Sequence, residues 1–116
     1  MYGNPTSRVC KVLWACAELG VVVDHVPVWE ERKSDWFTKI NPKQSVPAVK
    51  DGTLTLHESN TIVSYLAAKY GSSSGLLPEG HEAMAVASMW TEYAETTIAP
   101  IQNPVSGQWT AGARPL

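Results

Sequence analysis

The sequence predicts an α/β fold in which helices cover the faces of a small mixed sheet. Two observations lead to this prediction. A short helical pattern at 36–40 lies between extended segments, and a helix that joins two strands implies a parallel crossover. Later in the chain, Asp51-Gly52 separates two short apolar runs, which is typical of an antiparallel hairpin.

The first helix is predicted at 8–19, because its apolar residues recur at the spacing of one helical face. Gly20 then ends this helix. The run that follows, at 21–28, is rich in β-branched residues. It predicts a mostly buried strand.

The middle of the chain predicts short elements separated by turns. A charged loop is expected at 30–35, and the short helix at 36–40 should end at Asn41-Pro42, because the residue before a proline disfavours the helical conformation. A second clear helix is predicted over Ser59–Tyr70, after the hairpin. Gly71 is expected to supply its C-terminal stop.

The composition changes after this second helix. Residues 72–80 are small and polar and include a proline, which predicts a linker. A third helix is expected at about 81–98, ended by Pro100, and the tail at 99–116 has no period. We therefore expect a first domain at 1–71 and part of a helical domain at 81–116.

Composition restricts the possible functions. The chain has 116 residues and a formal net charge of −2, which argues against nucleic acid as a partner. No apolar run approaches the ~20 residues that a membrane span needs. The absence of a visible signal peptide, together with only two cysteines, predicts a cytoplasmic protein. The three histidines lack a metal-ligand spacing, so no metal site is predicted.

Three segments resemble a known family. They are KVLWACAELG in the first helix, the NPxxxVPAV segment at 41–49, and DGTLTLHESNTIVSYLAAKY, which spans the hairpin and the second helix. Over about residues 2–100 the chain resembles the glutathione transferase family, specifically its thioredoxin-like N-terminal half. The resemblance implies a thioredoxin-like βαβ-ββα domain, followed by the first helix of an incomplete all-α C-terminal domain.

The resemblance also implies a function. A glutathione transferase binds glutathione as its co-substrate and promotes attack of the glutathione thiolate on a small electrophile, often in detoxification. The similarity is to theta-like, phi-like or bacterial members, and it implies a homodimer for the full-length form. Two alternatives stay open: a glutathione-binding module without catalysis, and a glutaredoxin-like thiol oxidoreductase that uses Cys10. The sequence names neither the electrophile nor the class.

The resemblance assigns the glutathione-binding residues to two motifs. It implies a cis bond at Val46–Pro47, which would present the backbone of Val46 to the cysteinyl unit of glutathione. Glu58 would bind the ammonium of the γ-glutamyl end and Ser59 its carboxylate, because a helix N-terminus favours an anion. The alternatives are a simple turn at Pro47 and a plain helix cap at Ser59.

A hydroxyl group that donates to sulfur would favour the thiolate, which is the reactive form. Thr6 and Ser7 both precede the first helix, and the resemblance favours Ser7 slightly as the catalytic residue. Asn4 could also reach the sulfur, whereas Tyr2 is a weaker candidate. Simple capping of the helix by Thr6 or Ser7 is the alternative.

The glycine end of glutathione needs positively charged or polar partners. The family often carries Lys, Arg or Gln directly before the VP pair, and here that residue is Ser45. Gln44 lies next to it, and Arg32 and Lys33 lie in the charged loop where relatives often have basic residues. The alternative for these charges is an ordinary solvated surface.

Two features depart from the family. Only Met1 and Tyr2 precede Gly3, where relatives have a strand of several residues, and only the first helix of the second domain is recognisable. We therefore expect a truncated transferase. Its third helix would expose an apolar face, so we also expect the chain to self-associate or to be unstable, with at most trace activity on model electrophiles.

Overall fold

The computed structural model describes residues 1–71 and 74–101. The chain divides into two compact units, of which the first is Met1–Leu77 and the second begins at Pro78. The elements of the first unit are α1 (Val9–Glu18), a 3₁₀ helix (Glu30–Lys33), α2 (Asp35–Ile40), β1 (Ala48–Asp51), β2 (Leu54–His57) and α3 (Ser59–Tyr70). The second unit contains α4 (His81–Tyr93) and a π-helix (Ala94–Ile98).

The first unit contains both antiparallel and parallel pairing, as predicted, but the crossover predicted at the helix 36–40 is wrong. The parallel bridge, between Tyr2 and Val26, spans α1, whereas α2 connects two segments that pair with Tyr2 in opposite directions. β1 and β2 pair antiparallel, with Asp51 opposite Leu54, so the two hairpin loop residues are Gly52 and Thr53 rather than Asp51 and Gly52. Gly52 has φ +61°, the left-handed conformation that such a turn requires. Tyr2 extends the sheet beyond β1, because it forms an antiparallel bridge with Ala48 and a parallel bridge with Val26.

The prediction of a mostly buried strand at 21–28 is wrong. Only the single bridge at Val26 forms, where the Val26 N–H donates to the Met1 carbonyl oxygen at 2.8 Å and the Gly3 N–H donates to the Val26 carbonyl oxygen at 3.0 Å. Val22 is 96% exposed, whereas Val28 is buried. The ladder is short because its neighbour in the sheet is Tyr2 alone and because Pro27 has no N–H to donate.

The charged loop predicted at 30–35 is also more regular than expected. It folds into the 3₁₀ helix Glu30–Lys33, and Ser34 then caps α2 by accepting a hydrogen bond from the Phe37 N–H. A Ser followed by Asp at a helix start is a favourable N-terminal sequence. The short helix itself, and its end before Asn41-Pro42, are confirmed.

The core lies on both faces of the sheet. One cluster joins α1 and α3 to the sheet, and its buried members are Met1, Val9, Val12, Cys16, Val49, Ile62 and Leu66. The other lies under α2 and consists of Val28, Phe37 and Ala48, with Tyr2, Ile40 and Val46 packed against it. Neighbouring residues of the sheet such as Ala48 and Val49 belong to different clusters, because successive side chains of a strand point to opposite faces.

Glycines close two of these helices in different ways. Gly20 follows α1 with φ +65°, and the Val21 N–H donates to the Cys16 carbonyl oxygen at 2.8 Å, as in the predicted glycine stop. Gly71 caps α3 with φ −114°, outside the left-handed region. A Cβ atom at Gly71 would lie 2.7 Å from the Ala67 carbonyl oxygen, so close packing rather than a left-handed turn favours glycine there.

The second unit is helical beyond the predicted end. The helix continues through the π-helix to residue 101, so the expectation that Pro100 breaks it is wrong. Pro100 lacks the backbone N–H that a helix uses as a donor. The π-helical turn before it is a known kind of irregularity within an α-helix. All residues of α4 are exposed, including Trp90 at 60%. The tail predicted at 99–116 lies outside the described residues from 102 onward.

Within 1–71 and 74–101, no helix is both long enough and apolar enough to cross a membrane.

Candidate functional site

The start of α1 lies against the segment that precedes β1. Gly3 is buried, with φ +136°, and a Cβ atom there would lie 2.9 Å from the Val46 Cβ and would overlap a methyl group of Val9. The carbonyl oxygen of Gly3 lies 2.7 Å from His25 Nε2. The absence of a side chain at Gly3 therefore lets the loop before α1 approach Val46 directly.

The structure places Asn4, Thr6 and Ser7 in one turn before α1. The Asn4 side-chain oxygen accepts hydrogen bonds from the Thr6 N–H at 2.9 Å and the Thr6 hydroxyl at 2.7 Å. The Ser7 hydroxyl donates to the Asn4 carbonyl oxygen at 2.6 Å and accepts a hydrogen bond from the Val9 N–H at 3.3 Å. The N-cap position of α1 is Arg8 and has no side-chain cap, so Ser7 contacts the first N–H of the helix without being its cap residue. Thr6 is exposed and bonded to Asn4.

The bond between Val46 and Pro47 is cis, as the resemblance implies. Pro47 and Ala48 are buried, and Val46 is half-buried. Within the described part of the chain, neither the N–H nor the carbonyl oxygen of Val46 has a hydrogen-bond partner. A backbone donor and a backbone acceptor are thus available beside the start of α1, which is what an added extended peptide requires.

The junction of β2 and α3 brings Glu58 and Ser59 together. Glu58 occupies the N-cap position with φ +71°, an uncommon conformation for a residue other than glycine, and Ser59 is the first residue of α3. Ser59 is only 5% exposed, and its hydroxyl has no hydrogen-bond partner among the described residues. The plain N-cap role considered for Ser59 is not observed, because α3 has no side-chain cap.

Two basic side chains lie near the Glu58 carboxylate. Lys43 Nζ is 3.5 Å from Glu58 Oε1, and His57 Nδ1 is 3.7 Å from the same oxygen. The side chains of Lys43 and Glu58 are 64% and 57% exposed. The sequence did not connect these residues, because Lys43 lies in the loop before β1 and Glu58 follows β2.

Asn41 organises this loop and was predicted only as a helix end. Its side chain is fully buried, and its Nδ2 donates to the Ser45 carbonyl oxygen at 2.7 Å, while its Oδ1 accepts from the Lys43 N–H at 3.1 Å. These bonds fix the backbone that leads into Val46. A buried amide that satisfies nearby backbone groups is a recurrent way to order such a loop, and the asparagine before Pro42 is the signal that could have suggested it.

A second contact not predicted from the sequence joins α1 to α3. Lys11 Nζ donates to the Asn60 side-chain oxygen at 2.6 Å. Because Asn60 follows Ser59, this bond links the helix that carries the Ser7 turn to the helix that carries Ser59. No local pattern indicates a contact between residues so far apart in sequence.

The residues expected to bind the glycine end of glutathione do not form a single cluster of contacts in the described residues. Gln44, with φ +55°, donates from Nε2 to the Thr38 hydroxyl at 3.1 Å, and Ser45 is bonded to Asn41. Arg32 and Lys33 are exposed at the end of the 3₁₀ helix. In the described residues, neither of them forms a hydrogen bond or an ion pair with the other predicted site residues.

The two cysteines differ in environment. Cys10 is exposed in the first turn of α1, whereas Cys16 is buried, and this burial raises the pKa of the Cys16 thiol. Cys16 is therefore a thiol of the core. Among the described residues, no group of three or more His, Cys, Asp or Glu is arranged to hold a metal ion.

Comparison with known proteins decides the family. The family model described as the glutathione S-transferase N-terminal domain matches residues 1–74 of this chain. The chain belongs to the glutathione S-transferase family. Its first unit is therefore the thioredoxin-like N-terminal domain of that family, as its sheet and helices indicate.

Individual relatives agree with this assignment. Glutathione S-transferase 1 of Triticum aestivum is 34% identical, over 90% of this chain and 49% of its own length, and glutathione S-transferase theta-1 of Homo sapiens is 38% identical, over 84% of this chain and 42% of its own length. Among solved structures, the theta-class enzyme of Xanthomonas axonopodis pv. citri with glutathione bound superposes with a TM-score of 0.82 at 32% identity, over 88% of this chain and 50% of that one. The chain spans about half the length of the curated transferases it matches.

Proposed function

We propose that this chain forms the glutathione-binding part of a glutathione transferase that promotes thiolate attack on an electrophile. The observation that carries the proposal is Ser59, whose hydroxyl lacks a partner among the described residues although the residue is almost fully buried at the start of a long helix. The Ser59 hydroxyl oxygen itself still reaches solvent, since His57 Nδ1 is the one fully buried side-chain N or O atom without a partner among the described residues, and it is therefore open to a ligand. The first turn of α3 also offers free backbone N–H groups to an anion.

The other predicted groups fit an extended tripeptide. The γ-glutamyl carboxylate binds Ser59 and the N-terminus of α3, and the γ-glutamyl ammonium binds Glu58. The cysteinyl unit pairs with the backbone N–H and carbonyl oxygen of Val46, which have no other partner in the described range. This binding mode resembles the addition of a short strand to an exposed backbone edge.

The thiol then lies near the turn before α1. Ser7 or Thr6 stabilises the thiolate by donating a hydrogen bond, and Ser7 is favoured because its hydroxyl lies beside the first N–H of α1. In the ligand-free chain the Ser7 proton is donated to Asn4, so the hydroxyl must rotate to reach a bound thiolate. The positive end of the α1 dipole favours the thiolate at the same place.

The solved Xanthomonas relative, whose crystals contain glutathione, supports this choice of ligand. The same proposal includes three properties that are usual for the family: a small electrophile as the second substrate, a homodimer for the full-length form, and a cytoplasmic location. Among the described residues, the Cys10 thiol has no hydrogen bond or ion pair that would favour the glutaredoxin-like alternative.

Calorimetric titration with glutathione tests the proposal. Ser59→Ala should weaken binding about tenfold to 150-fold, because a hydrogen bond to a charged group contributes about 1.5–3 kcal/mol. Ser64→Ala is the matched control, since Ser64 is an exposed serine of the same helix. Equal affinities for the wild type and both variants would contradict the proposed role of Ser59, and absence of binding by the wild type would overturn the proposed function.

A further inference from the structure

The carboxylate that the proposed function assigns to the ligand ammonium is already next to an ammonium of the chain itself. Lys43 Nζ lies 3.5 Å from Glu58 Oε1, and the lysine and the γ-glutamyl amine carry the same chemical group. Glu58 is held in an unusual backbone conformation, with φ +71°, between the end of β2 and the start of α3. This conformation sets where the side chain leaves the backbone, and the carboxylate lies beside the loop that carries Lys43.

The position of Lys43 is fixed in the same way. Its N–H donates to the side chain of the buried Asn41 at 3.1 Å, and Gln44, which follows it, has φ +55°. The backbone at Lys43 is thus ordered, and only its side chain must move to release Glu58. Since both side chains are more than half exposed, this ion pair is weak and a ligand can displace it.

We infer that Lys43 is an internal competitor for Glu58 that sets how strongly the site prefers a γ-glutamyl ligand with a free amine. This inference rests on the proposed function. In the empty site Lys43 neutralises Glu58, and in the occupied site the ligand ammonium replaces Lys43. Lys43 therefore lowers the benefit of the ligand amine by the strength of its own ion pair with Glu58.

His57 is the other basic neighbour of this carboxylate. Its Nδ1 is buried and lacks a hydrogen-bond partner among the described residues, and it lies 3.7 Å from Glu58 Oε1. That distance is too long for a hydrogen bond. Lys43, whose Nζ is nearer to this oxygen at 3.5 Å, is the competitor that the experiment should remove first.

The experiment compares two ligands on three proteins by calorimetric titration at one pH and salt concentration. The ligands are glutathione and glutaryl-Cys-Gly, which lacks only the γ-glutamyl amine. The proteins are the wild type, Lys43→Met and the control Lys39→Met, which removes an exposed lysine of α2 that forms no contact with Glu58 in the described residues. The measured quantity is the affinity for glutathione divided by the affinity for the amine-free analogue.

We expect this ratio to rise about two- to fivefold in Lys43→Met, the size that exposed ion pairs reach, and to stay at the wild-type value in Lys39→Met. An unchanged or lower ratio in Lys43→Met would overturn the inference, as would an equal rise in both variants, which would indicate a general charge effect. If the wild type binds neither ligand, the proposed function itself fails. A wild type that binds glutathione with a ratio insensitive to Lys43 refutes the competitor role alone.

Discussion

Gly3 packs closely against Val46 and Val9 at the candidate site, and replacing it with alanine should damage both the fold and the site. The residue is buried with φ +136°, so an alanine would have to adopt a backbone conformation that L residues rarely take. Its Cβ would also lie 2.9 Å from the Val46 Cβ and would overlap Val9. Neither neighbour can retreat easily, because Val9 is fully buried in the core and Val46 precedes the buried Pro47.

Both effects can be given a magnitude. An unfavourable backbone conformation costs about 1–3 kcal/mol, and overpacking a close contact typically costs about 1–3 kcal/mol more. The expected loss for Gly3→Ala is therefore about 2–6 kcal/mol, against a total stability of about 5–15 kcal/mol for an ordinary domain. If the protein folds, Val46 must shift, and glutathione binding should weaken as well.

Gly20→Ala is the matched control. Gly20 also has a positive φ, +65°, but a Cβ atom there would meet nothing within 4 Å. It should lose only the conformational contribution, about 1–2 kcal/mol. Urea unfolding of both variants, followed by tryptophan fluorescence at one protein concentration, measures the difference. If Gly3→Ala is no less stable than Gly20→Ala, the close packing of Gly3 against Val46 and Val9 does not contribute to stability as proposed.

Three further predictions concern charge, chemistry and association. Hydrogen bonds from Lys69 and two tyrosines lower the pKa of Asp51 from 3.8 to about 2, so the stability that Asp51 contributes is present above pH 3.8 and is lost as the pH falls toward 2. Asp51→Asn should flatten this part of the melting temperature against pH, and an unchanged profile would contradict it. Ser7→Ala should raise the pKa of the bound glutathione thiol with little change in affinity, as followed by thiolate absorbance; the same effect in Thr6→Ala alone would transfer the role to Thr6. Because Trp90 is 60% exposed on α4, we expect concentration-dependent association in sedimentation equilibrium, which a stable monomer would disprove.

The regular elements were predictable where local signals agree. The helix at Ser59–Tyr70 was predicted with its observed bounds, because its periodic apolar residues lie between a hairpin and a glycine. The segment at 21–28 was predicted wrongly, because β-branched residues indicate an extended chain but not whether a partner strand is present. The backbone there does alternate in exposure, with Val21 and Val23 half-buried and Val22 exposed, yet a single bridge is all that Tyr2 can offer.

The candidate site was predictable in its motifs but not in its contacts. The family resemblance carried by the VPAV and ESN segments indicated Val46, Glu58 and Ser59. The VP pair constrains the backbone before β1, and the ESN segment lies at the start of α3. The contact of Lys43 with Glu58, like that of Lys11 with Asn60, joins residues from different elements. Such contacts depend on how the elements pack, and no local pattern reports them.

The groups proposed to bind glutathione lie where regular elements begin. Val46 precedes β1, Ser59 opens α3, and the Ser7 hydroxyl contacts the first N–H of α1. Element ends are where backbone N–H and carbonyl groups lack partners within the element, so they can serve a ligand without breaking the fold. A set of such ends becomes a site only if non-local contacts hold the ends together, and here Gly3 against Val46 is one such contact. The geometry of the site should therefore be more sensitive to substitution at Gly3 than to substitution of the exposed basic side chains around it.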